Sequence, residues 1–348
     1  MFVKALISTI LVFALFLNSS AQSEKAISLS AVGDIMPGTL FPSKIYLPPN
    51  DNCAILFENA KPFIQSSDIA FGNLEGSYLD EGQVVKKCSD TTKCYAFRSP
   101  EKYFGDVVAA GFTMFSMANN HSFDFGERAV LKTFQLADSF QVAVAGPLSR
   151  PYAIVERNNL KIGLTAFAPN KGTQDMNDYS LIRSIVGHLD TLCDIVVFSF
   201  HGGAEGAQYQ SVTKLAETFY GENRGNVYEI ARVAIDAGAD VVLGHGPHVL
   251  RAFDLYKNRF IAYSLGNFCT PVRMNLKGAN GLSVVAQLNL TKNGEFIDGQ
   301  IVPFVQDYGK GPFYDHQKGA IKKIKNLTET DLPESPIHIS DEGVITYK

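Results

Sequence analysis

The chain has 348 residues, 46% of them hydrophobic and 19% charged, and 31 Lys and Arg against 35 Asp and Glu leave a net charge of −4. That is the profile of an ordinary soluble globular protein with ample chain for a buried core, and it gives no sign of a basic surface for nucleic acid. The length suits one large α/β domain or two smaller ones.

At the N-terminus, Lys4, the apolar run Ala5 to Leu17 and the small residues Ser19-Ser20-Ala21 read as a secretory signal peptide over residues 1–21. The run is short for a membrane span. Cleavage would start the mature chain near Gln22, whereas the same run left uncleaved would tether the protein to the outer face of the inner membrane. No Cys follows it, which argues against a lipoprotein. Export to the periplasm or cell surface places the cysteines in an oxidising compartment, where Cys88 and Cys94 in the stretch KKCSDTTKC suit a small disulfide-closed loop. Cys53, Cys193 and Cys269 leave an odd number, so at least one thiol stays free, and Cys193, at the head of an apolar run, reads as core packing.

Apolar, β-rich runs short enough for strands follow at 27–32, 69–71, 113–117, 142–145, 161–167, 195–200, 241–243 and 260–264. Between several of them, residues 100–110, 127–139, 180–192 and 226–237 place apolar side chains at three- and four-residue spacing, as helices do. This alternation predicts a layered α/β fold. No repeat, low-complexity tract or long Pro/Gly linker divides the chain, so one domain is expected over residues 22–302. Residues 303–348, richer in Lys, Asp and Glu, read as a C-terminal extension that wraps the domain or forms a partly mobile tail.

The polar residues fall immediately after the apolar runs, at the loop ends where α/β folds assemble their sites. AVGDIM presents Asp34, FGNLEG presents Asn73 and Glu75, and MANNHSFDFG presents Asn120, His121 and Asp124. FSFHGGAE presents His201 and Glu205, and VVLGHGPHV presents His245 and His248. Taken singly, Asp34 and the Asn119-Asn120 pair read as turn residues, Glu75 as half of an ion pair, and any one histidine as a hydrogen-bonded core residue. Four of the seven histidines in such loops, beside Asp34, Glu75 and Asn120, form a set that suits a divalent cation such as Zn²⁺, Mn²⁺ or Fe²⁺. The set contains no thiolate, which argues against a structural zinc site. His188, His316 and His338 lie outside these loops and read as structural or surface residues. Gly244 and Gly246 permit close backbone approach on either side of His245, and Pro247 stiffens the loop before His248.

The blocks GDIM, GNLE, NNHSFDFG, HGGAE, GHGPHV and YSLGNF, in this order, resemble the motif series of the CapA-type poly-γ-glutamate capsule biosynthesis proteins, a branch of the calcineurin-like metallophosphoesterase superfamily. They run from Gly33 to Phe268, about two thirds of the chain. The resemblance implies a four-layer α/β/β/α sandwich of metallophosphoesterase type, with metal at the carboxyl ends of the strands. It implies Asp34, Glu75, Asn120, His201, His245 and His248 as ligands of one or two divalent ions (Mn, Zn or Fe). It also implies that His121, oriented by Asp124, assists the leaving group. Tyr263, Ser264, Asn267 and Phe268 of the last block are expected to line or brace the site.

Two positions depart from the superfamily. Its first block carries Asp-x-His where this chain has Asp34-Ile35-Met36, and its second supplies a bridging Asp where this chain offers Asn73 and Glu75. A thioether is a poor ligand for the ions expected here. The resemblance implies a hydrolase-like metalloprotein acting in capsule or polyanionic polymer synthesis or processing. Its substrate would be an anionic polymer or a phosphoester or amide, its setting a membrane-associated capsule synthesis complex, and nucleic acid is not among its partners. The alternative is an accessory protein that binds a nascent anionic polymer, or assembly partners, without turnover.

Overall fold

The computed structural model describes residues 27–87 and 95–348, so the expected signal peptide and the Cys88–Cys94 bridge lie outside the described residues. Two large sheets carry the fold. In the first, Ile27–Ile35, Ile69–Leu74, Met114–Ser116 and Ala143–Ala145 run parallel, side by side. Leu282–Leu290 lies antiparallel on the other side of the first strand, followed outward by Phe296–Val305, Val344–Tyr347 and Ile337–Ile339. In the second sheet, Leu160–Ala168, Ile195–His201, Val241–His245 and Arg259–Ala262 run parallel, flanked by the antiparallel Tyr152–Arg157 and Phe253–Tyr256.

Period-two alternation decides which way each strand faces. Along the first strand Ile27, Leu29 and Ala31 enter a core shared with Ile162, Leu164, Val197, Val241 and Leu243 of the second sheet. Val32 and, on the next strand, Ala70 and Leu74 point the other way, onto helices Lys102–Ala109 and Glu127–Ser139. The far face of the second sheet packs in the same manner on helices Tyr179–Asp190 and Val227–Asp236. The result is a four-layer α/β/β/α sandwich. Asp178 and Asn226 cap the N-termini of the second pair of helices, accepting from the amides of Leu181 and Glu229.

The sequence expectation recovers the parallel strands and all four of these helices to within a few residues. The 302/303 boundary falls inside a strand, because Phe296–Val305 carries Pro303 opposite Val284. Beyond it, helix Gly319–Asp331 sets Ala320, Ile321 and Ile324 against the inter-sheet core, and Ile345 pairs with Gly299. The C-terminal segment is thus part of the first sheet and of the wall closing the sandwich. Gly33 lies within the first strand, where a Cβ would sit 2.0 Å from the Gly266 carbonyl oxygen, so it serves close strand approach.

Each apolar side chain fully buried between the sheets contributes about 1.5–3 kcal/mol. Leu164→Ala, in the centre of that core, is expected to cost about 2–5 kcal/mol. Leu148→Ala, at a position 61% exposed, should change stability by less than about 0.5 kcal/mol. Urea unfolding midpoints measure both, and equal shifts would contradict the sandwich.

Candidate metal centre

The parallel strands of both sheets deliver their polar residues to one edge. Register does the alignment: Asp34 stands beside Asn73 on one side and Asn267 on the other, while His201 stands beside His245. The His245 loop reaches the first sheet because it can come close to its neighbours. A Cβ on Gly246, whose φ is +111°, would lie 2.6 Å from the Gly202 oxygen, and one on Gly244 would lie 2.4 Å from the Tyr263 oxygen. Both glycines therefore meet the expectation of close approach.

Asp34 is fully buried and joins the two sheets. Its Oδ2 lies 2.8 Å from His248 Nδ1, and its Oδ1 lies 3.2 Å from His245 Nδ1. Burial alone would push its carboxyl up, but the hydrogen bonds and charge of the two histidines hold it well below the usual carboxylate range. Asn73 donates from one amide nitrogen to both Asp34 Oδ1 (2.9 Å) and Glu75 Oε2 (2.8 Å). Burial and the nearby Asp34 charge push Glu75 up to about 8. His248 loses by burial but gains more from Asp34 and Glu75, and is raised to about 9.

Around Glu75 the remaining donors gather. His201 Nδ1 is 3.6 Å from Glu75 Oε2, and His248 Nε2 and His121 Nε2 are 4.0 and 3.9 Å from Glu75 Oε1. Glu75, His201 and His248 offer ligand atoms within 4.8 Å of one another, a spacing open to a metal ion. Burial, and then the charge of Arg224, push the His201 imidazole well below its ordinary value, which leaves it neutral with a lone pair to give.

His121 sits at the edge of this group. Its Nδ1 is 2.7 Å from Asp124 Oδ2, and its ring lies over Phe97 with centroids 4.2 Å apart. Lys86 reaches in from a loop 35 residues upstream in sequence, bonding Asp124 Oδ1 at 2.9 Å and the Asn120 carbonyl at 3.2 Å. Burial above all, with the Lys86 charge adding, pulls His121 below its usual value against the pull of Asp124.

The structure therefore brings Asp34, Glu75, His121, Asp124, His201, His245 and His248 together. Asn120 belongs to the same loop as His121, and its Oδ1 is buried without a hydrogen-bond partner. Asn267 and Ser264 brace: Asn267 donates to the His248 carbonyl, and Ser264 to the Val249 carbonyl. Tyr263 and Phe268 do neither. Tyr263 points to the outer helices, where its hydroxyl meets Arg232 and Asp254 and its ring stacks on Tyr228, and Phe268 packs on Phe304. Three supporting residues escaped the sequence reading of the site. Asn119 donates to Asn73 and Leu74 and accepts from the His121 amide, so its position beside Asn120 was a usable signal. Lys86 and Arg224 lie in loops with no local signal at all.

The bacterial capsule synthesis protein PGA_cap family model matches residues 28–271. The capsule biosynthesis protein CapA of Bacillus anthracis is 30% identical over 266 residues, covering 71% of this chain and 60% of that protein. The PGA biosynthesis protein CapA of Bacillus subtilis (strain 168) is 25% identical over 290 residues, covering 77% and 71%. The chain thus spans 60% of the length of the Bacillus anthracis relative. Among solved structures, a hypothetical protein from Thermus thermophilus aligns with a TM-score of 0.48 at 15% identity, covering 80% of this chain and 98% of that one. The match over the greater part of the chain, spanning every strand-end motif from Asp34 to Asn267, shows that this chain belongs to the bacterial capsule synthesis protein family PGA_cap.

Proposed function

We propose that the chain is an exported, metal-dependent, hydrolase-like protein acting in the synthesis or processing of a capsule-type anionic polymer. One observation carries the metal: Glu75 Oε1, Asn120 Oδ1, both ring nitrogens of His201 and His245 Nε2 are buried polar atoms without a hydrogen-bond partner. Leaving such an atom unpaired costs about 1–3 kcal/mol, so a cluster of them at one strand edge is accounted for by a bound cation. The donors are nitrogen and oxygen, without thiolate, and fit Mn²⁺, Zn²⁺ or Fe²⁺. Asp34, Glu75, Asn120, His201, His245 and His248 are the candidate ligands for one or two such ions. When bound, the ion would polarise an oxygen of a phosphoryl or acyl centre and acidify a water.

The chain's own residues account for the rest. Asp34, bonded to the Nδ1 atoms of His245 and His248, orients both rings in the metal-free state and leaves their Nε2 atoms free. Asp124, itself bonded by Lys86, holds His121 through Nδ1 so that Nε2 is the free nitrogen, a lone pair in the neutral ring that would donate to a departing group only after taking up a proton. The names of the Bacillus relatives, capsule biosynthesis and PGA biosynthesis, supply the polymer class. Export rests on the N-terminal signal pattern, and a membrane-associated assembly is the partner expected with it. Among the described residues no helix is long and apolar enough to cross a membrane.

A non-catalytic accessory protein is the second reading, and Met36 favours it, since it stands where the superfamily places a histidine ligand. Metal content and turnover separate the two. Mature protein is expected to hold divalent metal and to cleave a generic phosphodiester or amide, and His201→Ala to lose both by about a hundredfold. Metal-free unaltered protein without His201-dependent turnover would leave the accessory reading standing.

The protons of the metal-free site give a second test. Glu75, normally near 4.5, keeps its proton to about 8, and His248, normally near 6.5, keeps its proton to about 9. In mildly acid solution His201 and His121, held below their ordinary values, bind fewer protons folded than unfolded and oppose this effect. From neutrality upward Glu75 and His248 prevail, the folded state holds more protons than the unfolded one, and stability falls as pH rises. Asp34 works in the opposite sense, with its contribution lost only as pH falls below the ordinary carboxylate range. Thermal melts of chelator-treated protein should therefore decline from neutral to alkaline pH, and added Mn²⁺ should flatten the decline by replacing both protons. A melt that rises with pH through neutrality would contradict this assignment.

A further inference from the structure

Asp34 and Glu75 are both buried, and one amide stands between them. Asn73 Nδ2 lies 2.9 Å from Asp34 Oδ1 and 2.8 Å from Glu75 Oε2. Which end of this amide faces the carboxylates is fixed by its neighbour Asn119. The Oδ1 of Asn119 accepts from the His121 backbone amide at 3.0 Å and from the Ser122 hydroxyl at 3.2 Å. Its Nδ2 therefore is the atom that meets the Leu74 carbonyl at 2.7 Å and Asn73 Oδ1 at 3.2 Å. A backbone N–H only donates and a backbone carbonyl only accepts, so the two linked side-chain amides have one consistent orientation. It turns the N–H groups of Asn73 onto the two carboxylates and its oxygen away from them.

The space between two buried carboxylates is where a divalent cation gains most from charge. Here it is filled by a nitrogen with no lone pair to give. The rest of Asp34 is filled likewise, Oδ1 by His245 Nδ1 at 3.2 Å and Oδ2 by His248 Nδ1 at 2.8 Å. The other side of Glu75 differs. Glu75 Oε1 and both ring nitrogens of His201 are buried without a hydrogen-bond partner, and Glu75, His201 and His248 offer ligand atoms within 4.8 Å of one another. His248 belongs to both regions, with Nδ1 on Asp34 and Nε2 4.0 Å from Glu75 Oε1. A carboxylate behind one ring nitrogen commonly orients an imidazole whose other nitrogen binds metal. Resting on the metal reading above, we infer that the centre holds a single divalent ion, on Glu75, His201 and His248, and that Asn73 keeps a second ion out by occupying the position between Asp34 and Glu75. Asp34 then orients His248 and is not itself a ligand. With one ion there is no metal clamp on both the attacking and the leaving oxygen, so turnover at this centre relies on that ion and on the protein's own side chains.

The test counts ions and does not depend on activity. Full mature protein, stripped with chelator, reloaded with Mn²⁺ and desalted, is expected to retain about one ion per chain, with the electron paramagnetic resonance spectrum of an isolated ion. Asn73→Asp puts a carboxylate oxygen in place of the amide nitrogen at nearly constant size. It is expected to raise the content to about two ions per chain and to give a spin-coupled spectrum, because paired ions lie only about 3.5–4 Å apart. Two coupled ions in the unaltered protein would overturn the inference and leave the metal reading intact. A folded Asn73→Asp protein that still holds one isolated ion overturns it too. The count in the unaltered protein decides the number of ions whether or not the variant folds. Unaltered protein that retains neither Mn²⁺ nor Zn²⁺ would overturn the metal reading itself, and this inference with it.

Discussion

Asp34 is a carboxylate without solvent, and the arrangement of the site depends on how its charge is met. It leaves the end of the first strand of one sheet and finds its partners on the other, His245 and His248, with Asn73 closing the remaining direction. An isolated buried carboxylate would be prohibitively unstable, and removing one partner of such a pair typically costs about 3–5 kcal/mol. The two sheet edges are thereby held together at the point where the ligand atoms collect. The inter-sheet core brings the strands into position, but its contacts are non-directional, and it is this polar junction that aligns individual side chains.

For the junction to form, three backbones must approach more closely than a side chain allows. Gly33 lies against Gly266, Gly244 against the Tyr263 carbonyl and Gly246 against Gly202, so each of these contacts lacks room for a Cβ. The loop after His201 is then pinned from outside by a second buried charge pair. Arg251, fully buried, holds both oxygens of Glu217 at 2.7 and 2.8 Å and bonds the Tyr209 carbonyl. Glu217 in turn accepts from the Ala204 amide, which fixes the segment carrying Glu205. Rigid support of this kind lets a centre keep several polar atoms unpaired while the surrounding fold remains stable.

Membership of the capsule synthesis family and the chemistry of the centre bear on different questions. Family membership follows from the match over residues 28–271 and says nothing about turnover. The centre bears on chemistry: a neutral His201, a protonated His248, a protonated Glu75 and an ionised Asp34 describe a site whose protons a cation can replace. Met36 is one of the two departures from the ligand pattern expected of the sequence, the other being Asn73 and Glu75 in place of a bridging Asp. Met36 is buried, and its backbone amide bonds the Cys269 carbonyl.

Much of the architecture was legible from the chain because strand and helix periodicity are local properties. The parallel strands, the four outer helices and the placement of Asp34, Glu75, Asn120, His201, His245 and His248 after apolar runs can all be read within windows of a few residues. The antiparallel part of the first sheet was not, since Val285 takes its strand identity from Val32, and Ile345 from Gly299, partners far away in sequence. The same distance hid the supports of the site. Asn73 was visible as a strand-end residue, but its single amide nitrogen serving two carboxylates required the pairing of the first two strands. Lys86 on Asp124 and Arg224 on Glu205 have no motif, because a charge in a loop acquires meaning only from what the fold sets opposite it. By itself the sequence determined which side chains stand at the strand ends. Tertiary structure alone decided which of them meet, because a hydrogen bond between Asp34 and His248 spans 214 residues of chain and follows from the stacking of two sheets, not from any local propensity.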